Sequence, residues 1–386
     1  MRRSRYFLCI FLILYSNLLV PAAALAGQAA VPVIGAKGAA LMDVESGRLL
    51  FGKNELERLP MASTTKIMTA ILAIESGKLD DLVTVSSNAV RVEPSSIWLV
   101  AGEQMSLLHL VYGLMLRSGN DAACAIAEHL AGSVSAFAEQ MNAKARELGM
   151  QHTNFANPHG LPDPNHYTTA YDLAKLSAYA LRNRQFAAIV STTRFAIHNE
   201  ETGTSRVWYN KNRMLELYPG ADGVKTGWTR AAGHCLVASA SRAGQRLVAV
   251  VLNSPDDWGE TTALLDYGFA NYKPLVLVKA GQYMATAPVP KGHPAFIGIL
   301  AGESFIWPIR RGEQLQLTYR LQLEPSIVAP LKKGERVGYL LVSDQGAVIG
   351  RIPLVSDSPV SVGWWRQLLS GMWKNFSQLL LRGSSQ

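Results

Sequence analysis

A hydroxyl and an amine stand three residues apart in the segment LPMASTTKIMTA, residues 59–70. Residues at i and i+3 lie on the same face of a helix, about 5–6 Å apart at Cβ, so Ser63 and Lys66 are expected to be neighbours where this helix begins. A serine hydroxyl becomes a good nucleophile when a base takes its proton, and a lysine is such a base when burial or nearby positive charge lowers its pKa. The spacing fits a nucleophile with its base, and it also fits a helix-capping serine followed by a solvated lysine.

A second candidate is SGN, at Ser118–Asn120, in a tight break between two apolar segments. The Ser118 hydroxyl could pass a proton to a leaving amine, and the Asn120 amide could hold a substrate carbonyl. The same pattern recurs as SSN at Ser86–Asn88, in a polar stretch that is typical of the protein surface. The second copy is therefore given little weight.

A third candidate is KTG, at Lys225–Gly227, just before a predicted strand. A lysine and a hydroxyl at a strand edge suit a carboxylate ligand, and the glycine lets a substrate approach the backbone. Each of the three motifs is weak alone. In this order they form the signature shared by class A β-lactamases and penicillin-binding proteins.

The chain resembles one family in particular, the low-molecular-mass penicillin-binding proteins that act as serine-type D-alanyl-D-alanine carboxypeptidases of the S11 peptidase family. The resemblance runs over nearly the whole chain and is carried by LMDVESGRLLFGKN, PMASTTKIMTA, LVYGLMLRSGNDAACAIAEHLAG, FANPHGL, GADGVKTGWTRAAGHCLVASA and the tail. It implies a peptidoglycan stem peptide ending in D-Ala-D-Ala as substrate and covalent binding of β-lactams. No Cys/His spacing is typical of a zinc site, and no cofactor or metal is expected.

The resemblance also implies a role for each residue of the first two motifs. Ser63 would form the acyl-enzyme, and Lys66 would be the general base for acylation. Ser118 would relay a proton, and Asn120 would orient the substrate. The expected reaction removes the terminal D-alanine, after which water releases the shortened peptide.

The third motif is expected to bind the substrate. By the same resemblance, Lys225 and Thr226 would bind the terminal carboxylate, and Gly227 would let the substrate approach the backbone. The backbone N–H groups of Ser63 and Trp228 would form the oxyanion hole, where one such donor is worth about 10²–10³ in rate.

Three functions are alternatives to a carboxypeptidase. A class A β-lactamase deacylates with a glutamate in an E-x-x-x-N loop, and no glutamate between Asn120 and Lys225 is followed by asparagine at the fourth position. A D,D-endopeptidase or transpeptidase stays open, because these motifs do not specify the acceptor. A catalytically silent scaffold that binds the cell wall is disfavoured, because a binding protein has no need of Lys66 beside Ser63.

The first 26 residues predict a secretory signal peptide, with three arginines, an apolar run and Ala24-Leu25-Ala26 as the cleavage site. An uncleaved anchor helix is the alternative. Removing the segment lowers the formal charge from +8 to +5. That mild excess, without a basic block interleaved with aromatics, makes nucleic acid an unexpected partner. Cys124 and Cys235 lie in apolar runs and are expected to be buried free thiols.

Periodicity predicts an α+β fold. Strands around SG at 46–47, a helical block, a hairpin around RAGQ at 242–245 and a last helix indicate a β-lactamase/transpeptidase-like catalytic domain over 27–274, with an antiparallel sheet. Short alternating segments separated by Gly and Pro predict a small all-β domain over 275–360.

The tail predicts an amphipathic helix over 363–382. Its large apolar side chains recur at helical spacing, and they are Trp365, Leu368, Leu369, Met372, Trp373, Phe376, Leu379 and Leu380. No acid follows Asp357, so the segment is cationic. Its length and polarity argue against spanning a bilayer and favour lying in the membrane interface. Packing on the β domain is the alternative.

Overall fold

The computed structural model describes residues 14–15, 29–199 and 204–362. The chain divides into two compact units, one of residues 25–274 and one of residues 275–386 together with 1–24. Leu14–Tyr15 (β1) pairs with a strand of the second unit. The rest of the predicted signal peptide and the predicted tail helix lie outside the described residues. Within the described part, no helix is both long and apolar enough to cross a membrane.

The first unit mixes strands and helices. Its strands are β2 (Gly38–Asp43), β3 (Leu49–Lys53), β4 (Leu82–Thr84), β5 (Gln104–Ser106), β6 (Arg194–Asn199), β7 (Thr204–Tyr209), β8 (Ala221–Thr229), β9 (Gly233–Arg242) and β10 (Gln245–Ser254). A further strand begins at Tyr272 and continues into the second unit, with which it is described. Its helices are α1 (Lys66–Glu75), α2 (Leu107–Tyr112), α3 (Asn120–Ala131), α4 (Val134–Glu147), α5 (Ala170–Arg182), α6 (Arg184–Ser191), α7 (Met214–Leu217) and α8 (Asp257–Asn271).

A five-stranded antiparallel sheet organises this unit, in the order β3-β2-β10-β9-β8. The two hairpins predicted from the turn sequences, β2–β3 and β9–β10, both form. Alternate residues of a strand face opposite sides of a sheet. Val248 and Val250 therefore join the core under the helical block, whereas Leu247 and Val251 join a second core beneath α8. Burial on both faces explains why these strands read as continuous apolar runs.

The helices also follow the sequence patterns. The apolar residues Ile67, Met68 and Ile71 of α1 are buried. Thr169 caps α5, because its hydroxyl accepts a hydrogen bond from the Asp172 N–H at 3.0 Å. The sequence patterns did not predict the hairpin β6–β7 or helix α6.

The second unit is built of strands in its described residues. They are β11 (Tyr272–Val278), β12 (Tyr283–Pro288), β13 (Gly292–His293), β14 (Phe296–Ala301), β15 (Phe305–Arg310), β16 (Leu317–Leu323), β17 (Arg336–Asp344), β18 (Ala347–Ser356) and β19 (Ser361–Val362). Its main sheet has the order β1-β16-β17-β18-β14-β12. Inward-facing residues such as Leu340, Val342 and Leu354 form its own core. The predicted α+β unit followed by a small all-β unit is confirmed.

Candidate active site

Ser63 lies in a short 3₁₀ turn, Ala62–Thr65, that leads directly into α1. Ala62 has a left-handed backbone, with φ of 47°. Two side chains brace the turn, since the Thr64 hydroxyl donates to the Met61 carbonyl at 2.6 Å and the Thr65 hydroxyl donates to the Ala62 carbonyl at 2.7 Å. The predicted i, i+3 relation with Lys66 holds, although Ser63 precedes the α-helix rather than standing inside it.

Lys66 is the first residue of α1, and its side chain is fully buried. Its ammonium nitrogen donates to Ser63 Oγ at 2.9 Å, to Asn120 Oδ1 at 2.7 Å and to the His159 carbonyl at 2.6 Å. None of these partners is a carboxylate. A buried lysine held by neutral acceptors is placed to exchange a proton with the serine.

The surroundings of Lys66 lower its pKa well below the usual value of 10.5. Burial is the largest cause, and the positive charges of Lys225 and Lys211 add to it. Cys124 and Asp121 act in the opposite direction without reversing the shift. The amine therefore loses its proton far more readily than a solvated lysine, as a general base must.

The loop at 156–161 supplies the third partner of Lys66. Asn157 Oδ1 accepts from the Gly160 N–H at 2.7 Å, and Asn157 Nδ2 donates to the Leu161 carbonyl at 3.0 Å. Gly160 has φ of 92°, and a Cβ there would come within 1.9 Å of the Ala62 carbonyl oxygen. Only glycine allows this close approach, which holds the His159 carbonyl against Lys66.

His166 connects the same loop to the serine turn. Its Nδ1 accepts from the Ala156 N–H at 3.0 Å, and its Nε2 is 2.7 Å from the Thr65 hydroxyl. Burial lowers the pKa of His166 to about 4 and that of His159 to about 3. Both rings are therefore neutral near pH 7, and the His166 Nε2–H donates to Thr65. These histidines therefore support the site through the loop and the serine turn.

The SGN motif lies where a π-helical segment, 113–117, gives way to α3. Ser118 is buried and has a left-handed backbone, with φ of 66°. Asn120 begins α3 and is buried against Lys66. The predicted break between apolar helices therefore exists, and it places Asn120 in contact with Lys66.

The KTG motif lies on β8, at an edge of the five-stranded sheet. A Cβ on Gly227 would lie 3.0 Å from the Ser63 nitrogen and 3.2 Å from the Thr64 nitrogen. The strand thus passes directly against the turn that carries Ser63, and the exposed Trp228 follows Gly227. Thr226 is partly exposed beside it.

Lys225 is buried on β8, and its ammonium group donates to the Thr226 carbonyl at 2.9 Å. Burial, followed by the nearby charge of Lys211, lowers the pKa of Lys225 to about 7. A buried cation without a carboxylate partner among the described residues is stabilised when an anion binds beside it.

Three of the predicted residues, Lys66, Asn120 and Gly227, are thus brought together around Ser63. The alternative S-x-N copy is elsewhere, because the Ser86 hydroxyl bonds Glu128 and the backbone N–H groups of its own turn. Cys124 and Cys235 are free and buried, as predicted, and burial raises the pKa of each thiol to about 12.

Comparison with known proteins gives the same assignment. Residues 26–256 match the D-alanyl-D-alanine carboxypeptidase family of S11 peptidases, and residues 272–361 match the C-terminal domain of penicillin-binding protein 5. The chain is 34% identical to the D-alanyl-D-alanine carboxypeptidase DacF of Bacillus subtilis over 354 residues, covering 88% of this chain and 90% of DacF.

Solved structures agree with the sequence matches. Penicillin-binding protein 5 of Haemophilus influenzae superposes with a TM-score of 0.68 at 32% identity, covering 86% of this chain and 99% of that one. A mutant of the Streptomyces K15 DD-transpeptidase superposes with a TM-score of 0.59 at 34% identity, covering 62% of this chain and all of that one. The chain therefore belongs to the D-alanyl-D-alanine carboxypeptidase family and is a serine-type D,D-carboxypeptidase.

Proposed function

We propose that the enzyme removes the terminal D-alanine from peptidoglycan stem peptides through an acyl-enzyme on Ser63, and that β-lactams acylate the same serine. The observation that carries this proposal is the 2.9 Å contact between Ser63 Oγ and the Lys66 amine. That amine is fully buried, and its surroundings lower its pKa.

Acylation begins when the neutral amine of Lys66 takes the hydroxyl proton of Ser63. The Ser63 oxygen attacks the carbonyl carbon of the penultimate D-alanine, and the backbone N–H groups of Ser63 and Trp228 stabilise the oxyanion. Lys66 passes that proton to Ser118 as the Ser118 hydroxyl gives its own to the peptide nitrogen, which leaves as the amine of free D-alanine. Asn120 orients the substrate amide during these steps.

Substrate binding rests on β8. Lys225 and Thr226 receive the terminal carboxylate, and Gly227 leaves room for the substrate beside the Ser63 turn. In deacylation a water molecule attacks the ester carbonyl, and the neutral amine of Lys66 accepts one of its protons and returns it to the Ser63 oxygen, which leaves as a hydroxyl. A β-lactam ester follows the same route, but its retained leaving group slows the attack of water.

Labelling with a fluorescent penicillin tests this assignment. The parent should become labelled, with the mass increase on the peptide that contains Ser63, and Ser63→Ala should not. Absence of label on a folded parent would favour the silent cell-wall scaffold. Label at another residue would contradict the assignment of the nucleophile.

The likeness to the Streptomyces K15 DD-transpeptidase supports a second candidate on the same site. An amine from another peptide, instead of water, would then attack the acyl-enzyme and form a new peptide bond. A D,D-endopeptidase would use the same residues on cross-linked peptides. Either activity would require the same Ser63 ester.

We also propose that the mature enzyme is exported and bound to the outer face of the cytoplasmic membrane. Residues 1–26 would be the cleaved signal peptide, and 27–274 and 275–360 would be the catalytic and all-β domains. Residues 363–382 would be the interfacial anchor helix. The support is the sequence pattern of each segment, together with a substrate that lies outside the cytoplasm.

A further inference from the structure

A groove of about 340 Å³ lies beside the SGN motif. One side is formed by the loop Ser96–Trp98 and the other by residues 206–209 at the end of β7, with Arg117 also lining it. Arg117 immediately precedes Ser118, and the Ser95 carbonyl next to this loop accepts a hydrogen bond from the Asn120 N–H, so the groove adjoins the SGN motif. We call it the Trp98 groove. Its volume is within the range of sites that bind small ligands.

Asp121 anchors the loop that forms one wall of the Trp98 groove. This carboxylate is buried and accepts hydrogen bonds from the Ser96 hydroxyl at 2.5 Å, from the Ile97 N–H at 3.0 Å and from the Leu99 N–H at 3.1 Å. The preceding carbonyl, that of Ser95, accepts from the Asn120 N–H at 2.7 Å. The loop is therefore fixed to the same helix start that presents Asn120 to Lys66.

This anchoring displays one large side chain. Trp98 has φ of 63°, a conformation in which a bulky residue is a rare and strained outlier, and it is 77% exposed. Its N–H donates to the Ser96 hydroxyl at 2.7 Å, and its carbonyl accepts from Arg206 at 3.1 Å. Strained residues that their surroundings hold in place cluster at ligand sites.

The opposite wall adds apolar surface. Val207 and Tyr209 are 41% and 59% exposed, whereas Trp208 between them is buried and stacks near Phe195. Both terminal nitrogens of Arg206 donate to the Glu103 carboxylate. This arginine therefore links the two sides of the groove and is not available to a ligand. Exposed aromatic and aliphatic side chains thus face a groove whose frame is rigid.

Arg117 gives the groove its charge. No carboxylate among the described residues pairs with it, and its charge adds to the burial that lowers the pKa of Lys211. Lys211 in turn lowers the pKa of Lys66 and of Lys225. A carboxylate entering the groove would therefore meet unopposed positive charge.

We propose that the Trp98 groove is a specificity subsite for the part of the substrate peptide that lies beyond the terminal D-Ala-D-Ala. An extended peptide would lay its methylene groups on the Trp98 indole and place a side-chain carboxylate at Arg117. This inference rests on the proposed function. Trp98 is then a residue that selects peptides by length and charge, distinct from the groups that act on the scissile bond.

The test measures kcat/KM for D-alanine release from four substrates with the full chain. They are acetyl-D-Ala-D-Ala, a pentapeptide with a free side-chain carboxylate, its carboxamide, and the same pentapeptide joined to its disaccharide. Trp98→Ala should lower kcat/KM on the pentapeptide about tenfold, as for an aromatic anchor, and leave acetyl-D-Ala-D-Ala unchanged. Trp98→Phe should restore most of the loss.

Two further variants complete the design. Arg117→Gln should abolish the preference for the carboxylate peptide over its carboxamide. Phe296→Ala removes a comparably exposed aromatic ring, 61% accessible, from the second unit and should change nothing.

Several results would overturn the subsite. They are equal losses on the short and long peptides, a loss confined to the disaccharide substrate, and no loss at all. A parent that hydrolyses none of the four substrates would overturn the proposed function itself, and the subsite with it.

Discussion

Lys66 Nζ and Asn120 Oδ1 are 2.7 Å apart inside the protein, where the amine is fully buried. The partner is the neutral oxygen of an amide. A carboxylate in the same place would stabilise the protonated amine and raise its pKa. The choice of asparagine therefore keeps Lys66 available as a base, in addition to any contact that Asn120 makes with a substrate.

Asn120→Asp should convert this contact into an ion pair. The pKa of Lys66 would rise, less neutral amine would exist near pH 7, and acylation by penicillin should slow about 10²-fold, within the range of general-base effects. Stopped-flow acylation across pH 6 to 10 measures it. The rate should recover partly as the pH rises.

Asn120→Ala is the control for that variant, because it removes the amide without adding charge. Its acylation rate should also fall, but its pH profile should keep the parent's shape. Identical pH profiles for the two variants would contradict the electrostatic role.

Lys211→Met should move the pH dependence of acylation. The charge of Lys211 lowers the pKa of both Lys66 and Lys225, so its removal raises both values. Because the neutral amine is the active form, the rising limb of the rate should shift to higher pH. Lys332→Met, an exposed lysine of the second unit, should leave the profile unchanged.

Lys225→Met should stabilise the fold and impair binding of the substrate carboxylate. The folded-state pKa of about 7 lies below the usual 10.5, so the folded lysine is penalised at pH 7 and below. The penalty fades as the pH rises from 7 to 10.5, because the unfolded lysine then also loses its proton. Burial of an unpaired cation suggests a gain of about 1–4 kcal/mol at pH 6.

Urea unfolding at pH 6 and pH 10.5 measures this gain, with D-alanine release followed on the same samples. The stabilisation should be large at the lower pH and small at the higher one. A variant less stable than the parent at pH 6 would show that the Lys225 charge is compensated in the folded protein.

Deletion of residues 363–386 should release the mature enzyme from membranes and leave its rate of D-alanine release unchanged. Eight large apolar side chains on one cationic helix face would give several kcal/mol of gross interfacial affinity, at about 1 kcal/mol for each half-buried group. Cosedimentation with anionic vesicles measures the effect. A truncated protein that still sediments would reject the anchor.

The sequence predicted the parts of the site that depend on local spacing. Ser63 and Lys66 meet because an i, i+3 step in a helical turn brings them together, and the break at SGN delivers Asn120 because apolar helices flank it. The strand carrying KTG was recognisable because its neighbours form a hairpin with a clear turn. Each of these features follows from a short stretch of sequence, so it could be predicted without knowing the fold.

The rest depends on contacts between distant segments. The His159 carbonyl that accepts from Lys66 is 93 residues away in the chain. The loop has no periodic pattern from which this contact could be predicted. Gly160 is one signal that was present in the sequence, since a glycine in a loop allows the close backbone approach that it makes to Ala62. Asp121 binds the Ser96–Leu99 segment mostly through backbone N–H groups. Every residue except proline has such a group, so the sequence could not show which segment the carboxylate contacts.

The most direct test of the central claim is D-alanine release from a pentapeptide ending in D-Ala-D-Ala, by the purified protein and by its Ser63→Ala variant. The account predicts release by the parent and none by the variant, with equal thermal unfolding of the two. Release by the Ser63→Ala variant, or no release by a parent that penicillin still labels at Ser63, would contradict it.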